Sequence, residues 1–509
     1  MFNSEVYLTS TDVRRLDLNS EYLGVLPLQL MENAGAAVAA EIASRFKPES
    51  KILILAGPGR NGGDGMVAAR HLASRGFKVN LILVGNEANI KDDIVSRNWS
   101  TLKNMASTIQ IQTVTDSTGI GEFEADVIVD GLLGIGFKGP LRQPILEAVR
   151  VLNRSRGFKV SIDVPTGVDS DSGEVYGEAV KADLTVTFHA EKAGFRKAKD
   201  YLGEVKVAPI GIPPEADLYT GPGDVEAVLK ARPAKSKKGD YGRLLVIGGS
   251  ETYSGAPALV ALAALRSGTD LAYVAAPYRT AEAISSMSPN LITIKLAGEH
   301  FNQANLGQLR TYIERATTVA VGPGMGLHKE SVEAFKKLLP ILQQYSKPTL
   351  IDADGLKALA TFKGQLGFPA VLTPHAGEFE NLSGRKAPAE VEGRATEAKT
   401  LACEYGAVIL LKGWVDVVSD GVKVKLNRTG NPGMTVGGTG DVLSGVVAGL
   451  MAQGVDPFQA SAAGAFINGA AGDIAYKEYG PHLTPTDLLE NIHKIMNNPM
   501  IHKDVKYGG

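Results

Sequence analysis

Cysteine is almost missing from this chain of 509 residues, since Cys403 stands alone. A single thiol excludes any intramolecular disulfide and any zinc site built on several cysteines. Its setting, "TLACEYG", reads as a small buried residue of a helix rather than a catalytic thiol. No uninterrupted apolar run reaches the roughly 18 residues of a transmembrane helix. The N-terminal stretch carries Glu5, Asp12, Arg14, Arg15 and Asp17 and lacks the apolar core of a signal peptide, so a cytoplasmic protein is expected. Charge of one sign is also scarce. A formal net charge of −2 gives no electrostatic footprint for nucleic acid or for an anionic membrane. The expected partners are small molecules, and the expected assembly is a homo-oligomer.

What is present is an ordinary globular composition, 44% hydrophobic and 21% charged, in a chain too long for one core. Two large domains are expected. From about Lys51 onward short β-rich runs alternate with helical stretches, which predicts largely parallel α/β sheets. "KILILAG", "KVNLILVG", "ADVIVDGLLG", "GFKVSIDVP" and "ADLTVTFHA" are the strand candidates of the first half. Residues 210 to 242 concentrate Pro, Gly and Lys, so the boundary is placed near residue 220, giving domains 1–220 and 221–509. The alternation resumes with "RLLVIGG", "LAYVAAP", "TTVAVGPG", "KPTLIDADG", "PAVLTPHAGE" and "GAVILLKG". From Asn431 a glycine-rich loop is followed by helical segments rich in small residues. The halves share no motif, so they read as a fusion rather than a duplication.

"KILILAGPGRNGGDGMVAARHL" reads as a buried strand, a glycine-rich turn, and a helix whose first turn starts near Asp64. Such a turn lets backbone approach a ligand, and unpaired N–H groups at a helix start favour phosphate. The spacing matches neither the Walker pattern nor GxGxxG. Asp130 in "VIVDGLLGIGFKGPL" and Asp163 in "VSIDVPTGVDSDSG" sit at two further strand ends, where ligands of open α/β sheets collect.

Together "GPGRNGGDG", "DGLLGIGFKGP" and "SIDVPTGVDSDSG" resemble the NAD(P)H-hydrate epimerase family over roughly residues 10 to 215. The resemblance implies a Rossmann-like three-layer αβα domain. It implies that Arg60, Asn61, Gly62, Gly63 and Asp64 cradle a hydrated nicotinamide nucleotide, and that Gly134, Ile135, Gly136, Phe137, Lys138, Gly139, Pro140 and Asp163 contact it. Asn61, Asp130 and Thr166 match positions where the family holds a potassium ion. The chain has Arg60 where the family often has Asn. Epimerising the C6 hemiaminal means losing hydroxide to a flat iminium and regaining water on the other face. Asp163 is the candidate acid/base, with Lys138 the weaker candidate for its partner.

In the second half, "NPGMTVGGTGDVLSGVVAGL" places Gly437, Gly438 and Gly440 at a helix start with Asp441 in the first turn. The loop resembles the ribokinase superfamily, whose matching Asp removes a proton from the acceptor hydroxyl. Adding "VIGGSETYSGAPALVALAALRSG", "VGPGMG", "IDADGL", "LTPHAGEFENL" and "VILLKG", the resemblance is to the NAD(P)H-hydrate dehydratase branch over roughly residues 225 to 500, with a ribokinase-like α/β fold. It implies that Ala256, Gly324, His375, Ala376, Gly377, Glu378, Asn381 and Asp441 meet the hydrated nucleotide. ADP or ATP, with Mg²⁺ bridging its phosphates, would meet Lys412, Gly413 and the loop of Asn431, Pro432, Gly433, Met434, Thr435, Val436, Gly437, Gly438, Thr439 and Gly440. The family often has Pro at Ala376. Two other readings stay open: a kinase of a small vitamin precursor, which shares the anion hole, and an N-terminal binding module without turnover.

Overall fold

The structure, a computed structural model, describes residues 7–507. It divides into two compact units, one ending at Pro213 and the other beginning at Pro214. The boundary expected near residue 220 therefore falls inside the second unit. The Glu215–Leu218 and Pro222–Val228 helices belong to that unit, Tyr219 bridges Leu426, and the Thr220 N–H donates to the Leu426 carbonyl at 2.8 Å.

The first unit is a seven-stranded parallel sheet. From one edge to the other its strands are Ile109–Val114, Lys78–Val84, Lys51–Ala56, Val127–Gly131, Phe158–Ile162, Leu184–Phe188 and Glu204–Ala208. Side chains alternate faces along a strand, and both faces here are covered, so central strands read as continuous apolar runs. Ile52 and Ile54 enter the core beneath the Pro27–Arg45, Arg60–Ser74 and Asp93–Lys103 helices. Leu53 and Leu55 enter a second core beneath Ile145–Arg154. This is the expected three-layer arrangement.

The second unit has nine strands, in the order Ile292–Leu296, Leu271–Pro277, Arg243–Ile247, Thr318–Val321, Thr349–Ile351, Ala370–Leu372, Val408–Leu411, Asp416–Ser419 and Val424–Asn427. Pairing is parallel through Val408–Leu411 and antiparallel across the last two. Leu245 and Ile247 share a core with the Asn305–Arg315, Lys329–Gln344 and Val391–Tyr405 helices. The Gly255–Arg266 and Thr439–Ala452 helices pack on each other, and the latter also packs on Thr318–Val321. The ribokinase-like expectation is met.

In each sheet the strand order reverses once: between Lys51–Ala56 and Val127–Gly131 in the first, and between Arg243–Ile247 and Thr318–Val321 in the second. Loops leaving such a pair diverge to opposite faces and open a crevice at the carboxyl ends. A glycine keeps each crevice floor tight. A Cβ on Gly57 would stand 2.0 Å from the Leu132 carbonyl oxygen, and one on Gly248 would stand 2.3 Å from that of Pro323.

Two local expectations are corrected. The first glycine-rich helix begins at Arg60, not near Asp64, with Gly59 as its N-cap. Gly62 and Gly63 lie inside it because the turn packs so closely that a Cβ on Gly62 would fall 1.8 Å from the Gly57 carbonyl oxygen. Cys403 is helical but exposed, in the last turn of Val391–Tyr405, its Sγ 3.8 Å from the Gly421 carbonyl oxygen. Among the described residues no helix is long and apolar enough to cross a membrane.

Gly445 sits where the Thr439–Ala452 helix crosses Gly255–Arg266, and a Cβ there would stand 2.3 Å from the Val260 carbonyl oxygen. Overpacking of this kind costs about 1–3 kcal/mol. Gly445→Val should lower the melting temperature of the second unit by several degrees. Calorimetry checks this, and an unchanged transition would contradict the close packing.

Candidate functional site

At the first crevice, Asp130 ends its strand fully buried. Its Oδ1 accepts from Thr166 Oγ1 at 2.6 Å and its Oδ2 from Thr166 N at 2.8 Å and Ser161 Oγ at 2.9 Å. Burial still leaves its carboxyl above the ordinary range, against the pull of these bonds. Asn61 Nδ2 donates to the Leu133 carbonyl at 3.0 Å, and Leu133 N donates to Thr166 Oγ1 at 3.0 Å. Asn61 and Thr166 thus meet at the Leu133 backbone, and Asp130 joins them through Thr166 and through Leu132 N, which donates to its Oδ1 at 3.3 Å. The Gly134–Pro140 loop that follows is open, with nothing within 4 Å of a Cβ on Gly136 or Gly139.

Asp163 lies one strand over, with φ 62, a left-handed conformation that Asp tolerates better than most side chains. Its Oδ1 accepts from Thr187 Oγ1 and Phe188 N, both at 3.1 Å, and meets Lys192 Nζ at 2.7 Å. The Lys192 side chain is 1% exposed, and its ammonium also donates to Thr187 Oγ1 at 2.8 Å and to the Phe188 and Ala190 carbonyls at 3.1 Å. Among the described residues these hydrogen bonds and the shortest ion-pair contact of Asp163 fall on Oδ1. Lys138, by contrast, is largely exposed and pairs with Asp171 at 3.1 Å, so the cation against Asp163 is Lys192. Arg60 pairs with Asp92 at 2.9 Å.

Two more carboxyls join this group. Burial lifts Asp17 to about 6, with Arg60 opposing and the Asp163 charge adding to the rise. Burial, then the charges of Asp163 and Asp17, hold Asp64 well above the carboxylate range. Lys192 and Asp17 were not singled out as site residues from sequence. The one signal for Lys192 was its place just beyond a strand end, in "TVTFHAEK". Asp17 comes from a helix distant in sequence, Ser10–Tyr22.

At the second crevice Asp352 leaves the Thr349–Ile351 strand and is buried. Its Oδ1 meets Lys412 Nζ at 3.1 Å and its Oδ2 accepts from Ser444 Oγ at 2.8 Å. Burial pushes Asp352 up, but Lys412 and Ser444 outweigh it and hold the carboxyl low. Asp441 is in the first turn of Thr439–Ala452, one turn before Ser444 on the same face. Burial and the Asp352 charge raise its carboxyl to about 7, with Lys412 opposing. A Cβ on Gly440 would be 3.5 Å from Lys412 Nζ, so this ammonium stands at the helix N-terminus beside Asp441. Gly438 has φ 105, and a Cβ on Gly437 would meet nothing within 4 Å.

The other expected residues take varied places. Gly324, with φ 60, lies against Tyr253 and near Ala256 at the strand-order reversal. His375 caps the Ala376–Ser383 helix: its Nδ1 accepts from Gly377 N at 3.0 Å and Glu378 N at 3.3 Å, and Glu378 Oε2 accepts from His375 N at 3.0 Å. That ring nitrogen is therefore committed to the backbone. Glu378 Oε2 is 4.0 Å from Lys412 Nζ, whereas Asn381 is exposed farther along the helix. Gly413 is needed where it stands, because a Cβ would strike the Arg394 guanidinium at 2.2 Å. Among the described residues no group of three or more His, Cys, Asp and Glu could hold a metal ion.

Residues 244–494 match the family model described as NAD(P)H-hydrate dehydratase, and residues 27–194 match that of the YjeF-related protein N-terminus. The chain is 46% identical over 496 residues to the bifunctional NAD(P)H-hydrate repair enzyme Nnr of Pyrobaculum aerophilum, covering 96% of this chain and 98% of that protein. It is 43% identical over 502 residues to the same-named enzyme of Hyperthermus butylicus, covering 97% and 93%. Among solved structures, the ADP/ATP-dependent NAD(P)H-hydrate dehydratase of Bacillus subtilis co-crystallized with ATP/Mg²⁺ aligns with TM-score 0.47 and 26% identity, covering 56% of this chain and 99% of that one.

The charge geometry at Asp441 makes a prediction. Half-ionisation near pH 7 should move down in Asp352→Asn, because the change removes a like charge and leaves the opposing Lys412 less engaged. Carboxyl-carbon NMR of selectively labelled protein reads this directly, and an unchanged or higher value would contradict it.

Proposed function

The chain belongs to the bifunctional NAD(P)H-hydrate repair enzymes, and from that premise we propose that its two crevices divide the chemistry, epimerisation at Asp163 and dehydration at Asp441. The observation that carries this is the pairing, in each crevice, of a carboxylate held by a lysine, Lys192 buried and Lys412 half-buried, with carboxyls raised by burial. Groups whose environments push their proton affinities apart are natural acid and base partners.

In the N-terminal unit, Asp163, oriented through Oδ1 by Lys192, is the base, and Asp64, whose proton affinity is raised by burial and by the charges of Asp163 and Asp17, is the acid. Asp64 protonates the departing C6 hydroxyl, the ring passes through a planar iminium, and Asp163 Oδ2 deprotonates water returning on the opposite face. Residues 60–64 and the open Gly134–Pro140 loop hold the nucleotide. Potassium suits Asn61, Asp130 and Thr166, which are linked through the Leu132–Leu133 backbone and the Thr166 hydroxyl. When bound it would supply a fixed positive charge beside the open loop.

In the C-terminal unit, Ala256, Gly324, Glu378 and Asn381 border the hydrated ring. Lys412, Gly413 and the Asn431–Gly440 loop receive the nucleotide, ADP by preference or ATP. Asp441 takes the proton of the C6 hydroxyl as its oxygen attacks the terminal phosphoryl group. The added phosphate then leaves with the C6–O bonding pair, the ring nitrogen lone pair compensates by forming an iminium, and loss of the C5 proton to solvent restores the nicotinamide double bond. The N–H groups of the first turn and Lys412 balance charge on the moving phosphoryl group. Mg²⁺ fits a site that lacks its own acidic cage, because nucleotide phosphates supply its ligands and it screens their charge. The substrates are small cytoplasmic metabolites, and we place the enzyme in the cytoplasm as a homo-oligomer.

Asp163→Asn and Lys192→Met should each abolish interconversion of the R and S hydrates while leaving dehydration of the S form nearly intact. Chromatography of the two epimers checks this, and normal interconversion in either variant would remove that residue from the mechanism. Asp441→Asn should lower dehydratase turnover by roughly 10² to 10⁴ while nucleotide affinity changes far less. Turnover on S-hydrated NADH beside calorimetric nucleotide binding makes the comparison. Near-normal turnover would refute Asp441 as the base.

A further inference from the structure

The start of the nucleotide loop rests on a helix that contributes nothing else to the crevice. On Pro457–Tyr479, a Cβ at Gly469 would lie 2.1 Å from Thr429 Oγ1, and one at Gly472 would lie 2.2 Å from Met434 Sδ. At Gly469 the Thr429 backbone is nearly as close, 2.6 Å to its carbonyl carbon, so the chain entering the loop sits directly on helix backbone there, while at Gly472 the Met434 thioether covers the helix. The next residue, Asp473, has a side chain 1% exposed. Its Oδ1 accepts from Asn431 Nδ2 at 2.8 Å and its Oδ2 from Gly430 N at 3.0 Å. Asn431 in turn accepts from Gly433 N at 3.0 Å and caps the Pro432–Thr435 turn that leads to Gly437 and Gly438.

A buried carboxylate must be paired to be tolerated. Here the partner comes from the Pro499–Asp504 turn near the end of the chain, where His502 is also 1% exposed and places Nε2 2.8 Å from Asp473 Oδ2. The edge of Phe466 packs against its ring at 5.3 Å between centroids. Three links thus run in series: His502 to Asp473, Asp473 to Gly430 and Asn431, and Asn431 to the phosphate-receiving turn.

We propose that His502 and Asp473 are positioning residues for the donor nucleotide: the C-terminal turn fixes the Asp473 carboxylate, which sets the Asn431–Gly440 loop. This rests on the reading of that loop as the nucleotide site. The role is selective, because the loop meets one of the two substrates and leaves the hydrated ring to other elements.

The test uses the full chain, with Michaelis constants for ADP and for S-hydrated NADH, turnover, and thermal melting. His502→Ala should raise the KM for ADP about tenfold, the usual effect of leaving a buried polar group unpaired, with turnover and the KM for hydrated NADH within about twofold. His502→Gln, which keeps an N–H donor, should recover most of the loss. Asp473→Asn should reproduce the selective defect, and the double variant should be little worse than either single one because both break the same series. An unchanged KM for ADP in folded His502→Ala, or equal rises for both substrates, overturns the proposal. If His502→Ala does not fold, Asp473→Asn decides by the same criterion. Gly437→Val, at a position where a Cβ would enter open space, tests the loop itself. If it leaves ADP binding intact, the loop reading fails and the proposal with it. If it abolishes ADP binding while His502→Ala and Asp473→Asn do not change it, only the positioning role fails.

Discussion

A carboxylate pressed against one buried ammonium, at the end of a parallel sheet, is the interaction on which both crevices depend. Lys192 holds Asp163 at 2.7 Å and Lys412 holds Asp352 at 3.1 Å. Removing either cation would strand a buried negative charge, which is far costlier than the pair is worth. Each lysine makes its shortest contact with one carboxylate, and Lys412 lies farther off, at 4.0 Å, from Glu378. The neighbours left over, Asp64 and Asp17 in one crevice and Asp441 in the other, are burdened by burial and by like charge, and all three bind protons more tightly than usual. These raised proton affinities follow from burial first and from this shortage of cations second.

The sheets determine where that shortage arises. In a doubly wound sheet the loops part only where strand order reverses, and there Gly57 and Gly248 let the diverging chains touch without a side chain between them. The same device recurs where backbone must meet backbone near the crevices: Gly62 under the first turn, Gly445 between two helices, and Gly469 beneath Thr429. Glycine in this chain is as much a packing residue as a ligand-binding one.

That double use explains what could be read from sequence. The central strands were legible because burial on both faces makes them uniform apolar runs. The strands that escaped notice lie at or beside sheet edges: Ile109–Val114, Glu204–Ala208 and Ile292–Leu296 have partly exposed patterns, while the Asp416–Ser419/Val424–Asn427 pair is buried but short and broken by polar residues. Asp163 and Asp441 stood out because glycine-rich wording surrounds them. Lys192, Asp17, Asp473 and His502 did not, since each acts through a contact far away in sequence and sits in an unremarkable local context. Cys403 was misjudged because composition says nothing of which side of a last helical turn faces solvent. Lys138 drew notice for its glycine-rich setting, yet its partner is Asp171.

The central claim is that one chain carries two separate acid/base sites whose products meet in a single outcome, recovery of the reduced nucleotide from both epimers. The most direct measurement follows reduced-nicotinamide absorbance while the protein acts on a mixture of R- and S-hydrated NADH with Mg²⁺ and limiting or excess ADP. With excess ADP the account predicts recovery of the whole mixture, with stoichiometric AMP and phosphate. A plateau at the initial S fraction, or accumulation of a stable phosphorylated product in place of NADH, would contradict it.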